Sequence, residues 1–68
     1  MERPTYYQST NGVECIDAIE AATENLHGKE AFCTGNVIKY MWRWKEKNGK
    51  QDLEKARTYI EMLLKGLE

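Results

Sequence analysis

Gly35-Asn36-Val37-Ile38-Lys39-Tyr40-Met41-Trp42-Arg43-Trp44-Lys45-Glu46-Lys47 is the stretch whose reading decides the fold. At about 100° per residue it predicts a helix with two unlike faces. Asn36, Lys39, Tyr40, Arg43 and Lys47 gather on one side, and Val37, Ile38, Met41, Trp42 and Trp44 spread over the rest. A helix that is apolar around most of its circumference belongs at the centre of a fold. Folding alone does not call for a basic stripe on that helix, so the stripe is the first candidate for function.

Working outward, a start at Thr34 or Gly35 would leave backbone N–H groups aimed at an anion. Asn48-Gly49 is a strong stop. Before the stretch, Cys15, Ile16, Ile19, Ala22, Thr23 and Leu26 recur at helical spacing and predict a first helix from Val13 to about Leu26. Asn11 is its expected N-cap and Gly28 its left-handed terminator. Residues 29–34 read as a connection or a short helical turn. After the stretch, Leu53, Ala56, Ile60, Leu63 and Leu67 repeat at 3, 4, 3, 4 spacing and predict a third helix from Asp52 to about Leu67, capped by Gln51 or Asp52. Residues 1–12 read as an extended or irregular arm, because Pro4 disfavours helix before it and Ser9-Thr10-Asn11-Gly12 is a turn cluster. The expectation is an all-α domain over residues 13–68: a compact bundle of about three short helices, completed by homo-oligomerisation. So small a chain, with Trp42 or Trp44 and part of the third helix left uncovered, predicts a homo-oligomer.

Composition narrows the function classes. With 68 residues the chain holds one domain. No apolar run reaches membrane-spanning length and the N-terminus has no signal-peptide core, so a cytoplasmic protein is expected. Two cysteines, Cys15 and Cys33, read as buried free thiols, and their spacing leaves a bridge between them open. The net charge of −1 hides an asymmetry. Residues 1–38 carry Arg3 and Lys29 against Glu2, Glu14, Asp17, Glu20, Glu24 and Glu30, a net of −4; residues 39–50 carry Lys39, Arg43, Lys45, Lys47 and Lys50 against Glu46, a net of +4. This points to a local anion site or to an acidic helix facing a basic one. General nucleic-acid binding is not expected, since such proteins are usually basic overall.

The chemistry available is binding chemistry. Arg43 offers a planar fork for phosphate or carboxylate, Lys39 and Lys47 compact charges, Asn36 a donor and an acceptor, and Tyr40 a stacking surface. Tyr6 or Tyr7 either pins the arm to the body or lines a site. The competing structural reading is a solvated basic face paired with Glu20, Glu24 or Glu61. There is no GxxxxGK[ST] phosphate loop, no GxSxG and no zinc spacing. His27, the only histidine, suits a loop or cap. Glu14, Asp17 and Asp52 sit at predicted helix starts, where capping explains them. No catalytic residue, metal site or cofactor is therefore assigned.

The block Gly35-Asn36, Lys39-Tyr40 and Trp42-Arg43, then Lys47 and Gly49, then Asp52-Leu53, Lys55-Ala56 and Tyr59-Ile60, resembles a small bacteriophage family described as a domain of unknown function or as nucleotide kinase-like. Tyr7, Gly12, Glu14, Ile16 and Asp17 resemble its opening pattern, and the likeness covers most of residues 6–60. The family includes a larger nucleotide kinase of a T-odd coliphage that has no Walker P-loop. The resemblance implies a phage origin, a helical fold, the host-cell cytoplasm and a link to nucleotides. By position it adds Asp52, Lys55 and Tyr59, with Tyr7, to Asn36, Lys39, Tyr40, Arg43 and Lys47 as ligand-binding candidates. Two departures stand out: Tyr6-Tyr7 replaces the usual His-Tyr opening, and Trp44 replaces a small residue. The leading expectation is a nucleotide binder that sequesters a nucleotide or a nucleotide-derived host defence signal without turnover. The alternatives are a P-loop-less nucleoside monophosphate kinase, which would add Mg²⁺, and an inhibitor of a host enzyme anchored by Trp42 and Trp44.

Overall fold

A computed structural model describes residues 12–68. Three α-helices follow one another: α1 Cys15–Thr23, α2 Gly28–Arg43 and α3 Lys50–Gly66. There is no strand among the described residues. The all-α expectation holds, and α2 is the central element, packed against α1 on one flank and α3 on the other. The expected Asn11 cap and the Tyr6-Tyr7 arm lie outside the described residues.

The helix boundaries differ from expectation in informative ways. Glu14, not Asn11, is the N-cap of α1. Its backbone N–H donates to Asp17 Oδ2 at 3.3 Å, so both acidic residues serve the cap as expected. The first helix ends at Thr23, whose hydroxyl donates back to Ile19 O at 2.7 Å. Such back-bonding loosens a helix end.

The larger correction concerns α2. It starts at Gly28, so residues 29–34 are helix rather than a connection, and Thr34 and Gly35 lie mid-helix with no N-terminal N–H groups to offer an anion. His27 is the extended N-cap residue before it, with φ −134°. Gly28 does take a left-handed φ of +53°, but as the first turn of α2 rather than as the end of α1. At the other end α2 stops at Arg43, four residues earlier than Lys47, and residues 44–49 form a turn closed by the Gly49 N–H on Trp44 O at 2.7 Å. Gly49 is the N-cap residue of α3, with φ +53°, a conformation other residues adopt only with strain.

Gly35 in the middle of α2 has a packing role. A Cβ placed there would lie 3.3 Å from Ile19 Cγ2, so the absence of a side chain lets α1 approach α2. On α3 the expected seam is split. Asp52 and Ala56 are buried, and Leu53, Tyr59 and Leu63 are half-buried, whereas Ile60 and Leu67 turn outward. The face toward α2 is therefore centred on Asp52, Ala56, Tyr59 and Leu63. Trp42 and Trp44 are half-buried rather than open to solvent, which weakens them as anchors for a partner.

Gly35→Val should lower stability by about 2 kcal/mol through overpacking. Ile19→Ala should cost less in the Gly35→Val background than alone, because the two side chains compete for one space. Urea denaturation of the four proteins of this cycle measures the coupling, and strict additivity would refute the contact.

Candidate functional site

The site begins at the joint between α2 and α3. Arg43, on the last turn of α2, and Asp52, on the first turn of α3, are both buried, Asp52 completely. Arg43 Nε donates to Asp52 Oδ2 at 3.3 Å and Nη2 to Oδ1 at 3.4 Å. Asn48, in the turn between them, donates its backbone N–H to Oδ2 at 3.3 Å and its Nδ2 to Oδ1 at 3.2 Å. Each carboxylate oxygen thus accepts two hydrogen bonds. Burial by itself raises the pKa of Asp52. The side-chain bond from Asn48, the bond from Arg43, the Asn48 N–H and the Arg43 charge together outweigh it and hold the carboxyl below its ordinary value of 3.8.

One turn back along α2 stands Tyr40, also buried. Its ring lies nearly parallel to that of Tyr59 on α3, with centroids 6.0 Å apart and planes at 14°. Phe32 meets Tyr59 edge-on at 5.7 Å. Three cations surround the Tyr40 ring: Lys39 Nζ at 4.6 Å, Arg43 Cζ at 4.9 Å and Lys55 Nζ at 5.5 Å from its centroid. Each such contact is worth roughly 0.5–2 kcal/mol depending on its exposure. Beside them a pocket of about 340 Å³ opens, lined by Phe32, Tyr40, Lys55, Thr58, Tyr59 and Met62. Thr58 donates its hydroxyl to Glu54 O at 3.1 Å, so toward the pocket it presents acceptor capacity. Lys55 is the one charged residue in that lining.

Of the residues singled out from sequence, Lys39, Tyr40, Arg43, Asp52, Lys55 and Tyr59 converge here. Asn36 lies one turn further back, its Nδ2 donating to Phe32 O at 2.9 Å. Lys47 sits in the turn beyond α2, away from the helical stripe, and its backbone N–H donates to Arg43 O at 3.1 Å. Tyr7 lies outside the described residues. Glu61, one of the acidic residues expected to pair with the stripe, faces Arg57 at 3.9 Å, and Arg43 turns to Asp52. Phe32, Thr58 and Met62 were missed. Phe32 precedes Asn36 by four residues and extends the same stripe, which a helix start placed at Thr34 concealed.

Both cysteines are buried free thiols. Among the described residues no group of three or more His, Cys, Asp or Glu side chains is placed to hold a metal, and no helix is long and apolar enough to cross a membrane. With both oxygens engaged, Asp52 is a poor metal ligand. The arrangement offers positive charge beside aromatic and apolar surface, which suits a flat, anionic molecule.

A profile of the family described as protein of unknown function DUF3310 matches residues 1–61. The chain belongs to that family. The match takes in the Arg43–Asp52 joint, the three cations and the aromatic wall, and ends one residue short of Met62. No curated protein and no solved structure matches the chain.

Asp52→Asn should destabilise the protein by about 3 kcal/mol at neutral pH, since it removes the carboxylate charge that the buried Arg43 guanidinium bonds. Because the folded-state pKa of Asp52 is lowered, its contribution is complete above about pH 4 and fades as pH falls through the folded value. The gap between wild type and variant should therefore close only in acid. Urea titrations between pH 7 and pH 2 check this, and a gap that persists unchanged at pH 2 would contradict it.

Proposed function

We propose that this chain is a phage-encoded nucleotide-binding protein that sequesters a nucleotide, or a nucleotide-derived host defence signal, in the host-cell cytoplasm without turning it over. It acts as a homo-oligomer. The observation that carries the reading is the pair of amines of Lys39 and Lys55 on the Tyr40 ring, a ring that with Lys55 lines an aromatic pocket. Among the described residues neither lysine has an acidic partner within salt-bridge distance. Their distances to the shared centroid put the amines at most about 10 Å apart. Near water, repulsion costs on the order of 0.4 kcal/mol at that limit and more at any closer approach. A phosphate between them replaces that repulsion with two charge-assisted hydrogen bonds. A base beside it would rest on Phe32, Tyr59 and Met62.

The roles of the cations differ. Arg43 holds Asp52, so it positions Tyr40 and supplies background charge. Lys39 and Lys55 are the groups that reach a ligand. The engagement of Asp52 by Arg43 and Asn48 favours binding over phosphoryl transfer, which would put a carboxylate on Mg²⁺. The resemblance to a phage family with a nucleotide kinase member supports the phage origin and the nucleotide.

Lys39→Ala and Lys55→Ala should each weaken nucleotide binding about tenfold or more while leaving the helical circular dichroism unchanged. Equilibrium dialysis against the common ribonucleoside and deoxyribonucleoside 5′-phosphates measures the affinity. Mass spectrometry of the same mixtures with ATP and Mg²⁺ tests turnover. Formation of a nucleoside diphosphate would replace sequestration with catalysis, and failure of every nucleotide to bind would remove the nucleotide reading.

A further inference from the structure

Helix α3 carries a second apolar stripe, turned outward from the other described helices. Ile60, Leu64 and Leu67 are 43%, 59% and 75% exposed. With Leu53 and Arg57 they fall at 4, 3, 4, 3 spacing, the spacing of a helix–helix seam. At about 100° per residue this stripe is turned roughly 90° from the Asp52–Ala56–Leu63 face, on the side away from Lys55 and Met62. Covering it therefore leaves the pocket open.

We infer that this stripe is the contact between two copies of the chain, with α3 lying antiparallel to its counterpart across a two-fold axis near residue 62. The charges beside the stripe select this partner and this direction. In an antiparallel pair centred there, residue i faces the residue whose number brings the sum to about 124, which is simple two-fold geometry. Ile60 then faces Leu64 of the second copy. Arg57 comes opposite Glu68, and Glu61 comes opposite Lys65. Each pair of opposite charges occurs twice by symmetry. A parallel two-fold pair would instead bring Arg57, near the seam, toward Arg57 and would put Glu61 of one copy and Lys65 of the other on opposite flanks. Within one chain, Arg57 is 70% exposed on its side chain and reaches Glu54 and Glu61 only at 3.8 and 3.9 Å. Contacts so long and so exposed contribute little and are easily exchanged for partners across the axis. The inference rests on the self-association proposed above and is independent of the nucleotide.

Sedimentation velocity over a concentration series, with single-cysteine trapping, tests it. Wild type should self-associate, and Ile60→Glu or Leu64→Glu should raise the dissociation constant by about 30-fold or more, the effect of losing a central apolar anchor. Both positions are exposed, so helical circular dichroism should be preserved. Under mild oxidation Glu61→Cys should form a disulfide-linked dimer, because its twin lies about 3 Å along the axis. Leu53→Cys should not, because its twin lies about 27 Å away. A wild-type monomer at all concentrations would overturn self-association altogether. Association untouched by Ile60→Glu would overturn the face, and efficient trapping at residue 53 would overturn the antiparallel direction.

Discussion

The buried pair of Arg43 and Asp52 is the constraint on which the rest of this small domain depends. It joins the last turn of α2 to the first turn of α3 across a six-residue turn, and Asn48 in that turn adds two further bonds to the same carboxylate. A buried ion pair is weak as a source of net stability, because desolvation consumes much of the attraction. Its value here is geometric. Four bonds on one carboxylate admit few relative placements of the two helices. Helical spacing does the rest: Tyr40 lies one turn from Arg43, Lys55 one turn from Asp52, and Tyr59 two turns from it. Once the joint is fixed, these side chains must meet.

The same joint sorts the positive charges. A guanidinium bonded through Nε and Nη2 to a buried carboxylate is held in place, with Cζ 4.9 Å from the centroid of the Tyr40 ring. Its charge is largely compensated. Lys39 and Lys55 reach that ring on flexible stems, and their ammonium groups stay strongly hydrated and mobile. A basic stripe that looks uniform along the helix thus divides into one fixed structural cation and two adaptable ones. Lys55 lines the pocket and Lys39 meets the Tyr40 ring of its wall; the aromatic walls come from α2 and α3 together.

Much of this was legible beforehand. The three-helix class, the central position of the Gly35–Lys47 stretch, the buried thiols and the capping acids at Glu14 and Asp17 follow from local periodicity and cap chemistry. The misplaced start of α2 has a local cause. Thr34-Gly35 looks like a helix start in isolation, and only the approach of Ile19 explains a glycine in mid-helix. Moving that start back to Gly28 is also what brings Phe32 onto the site. The seam on α3 was misjudged because two apolar stripes lie side by side on one helix. Spacing alone cannot say which of them faces α2.

By itself, the sequence determined that this chain forms helices, that the middle one is central, and that positive charge is concentrated upon it, because these depend on residues within a few turns of one another. It also supplied the residue types of the site. Only the tertiary structure decided that Arg43 belongs to Asp52, that Lys39 and Lys55 share one ring, and that Ile60, Leu64 and Leu67 point away from the core. The physical reason is common to all three. Each depends on the angle at which α2 and α3 meet, and that angle is fixed by a carboxylate whose four hydrogen bonds exist only once both helices are in place.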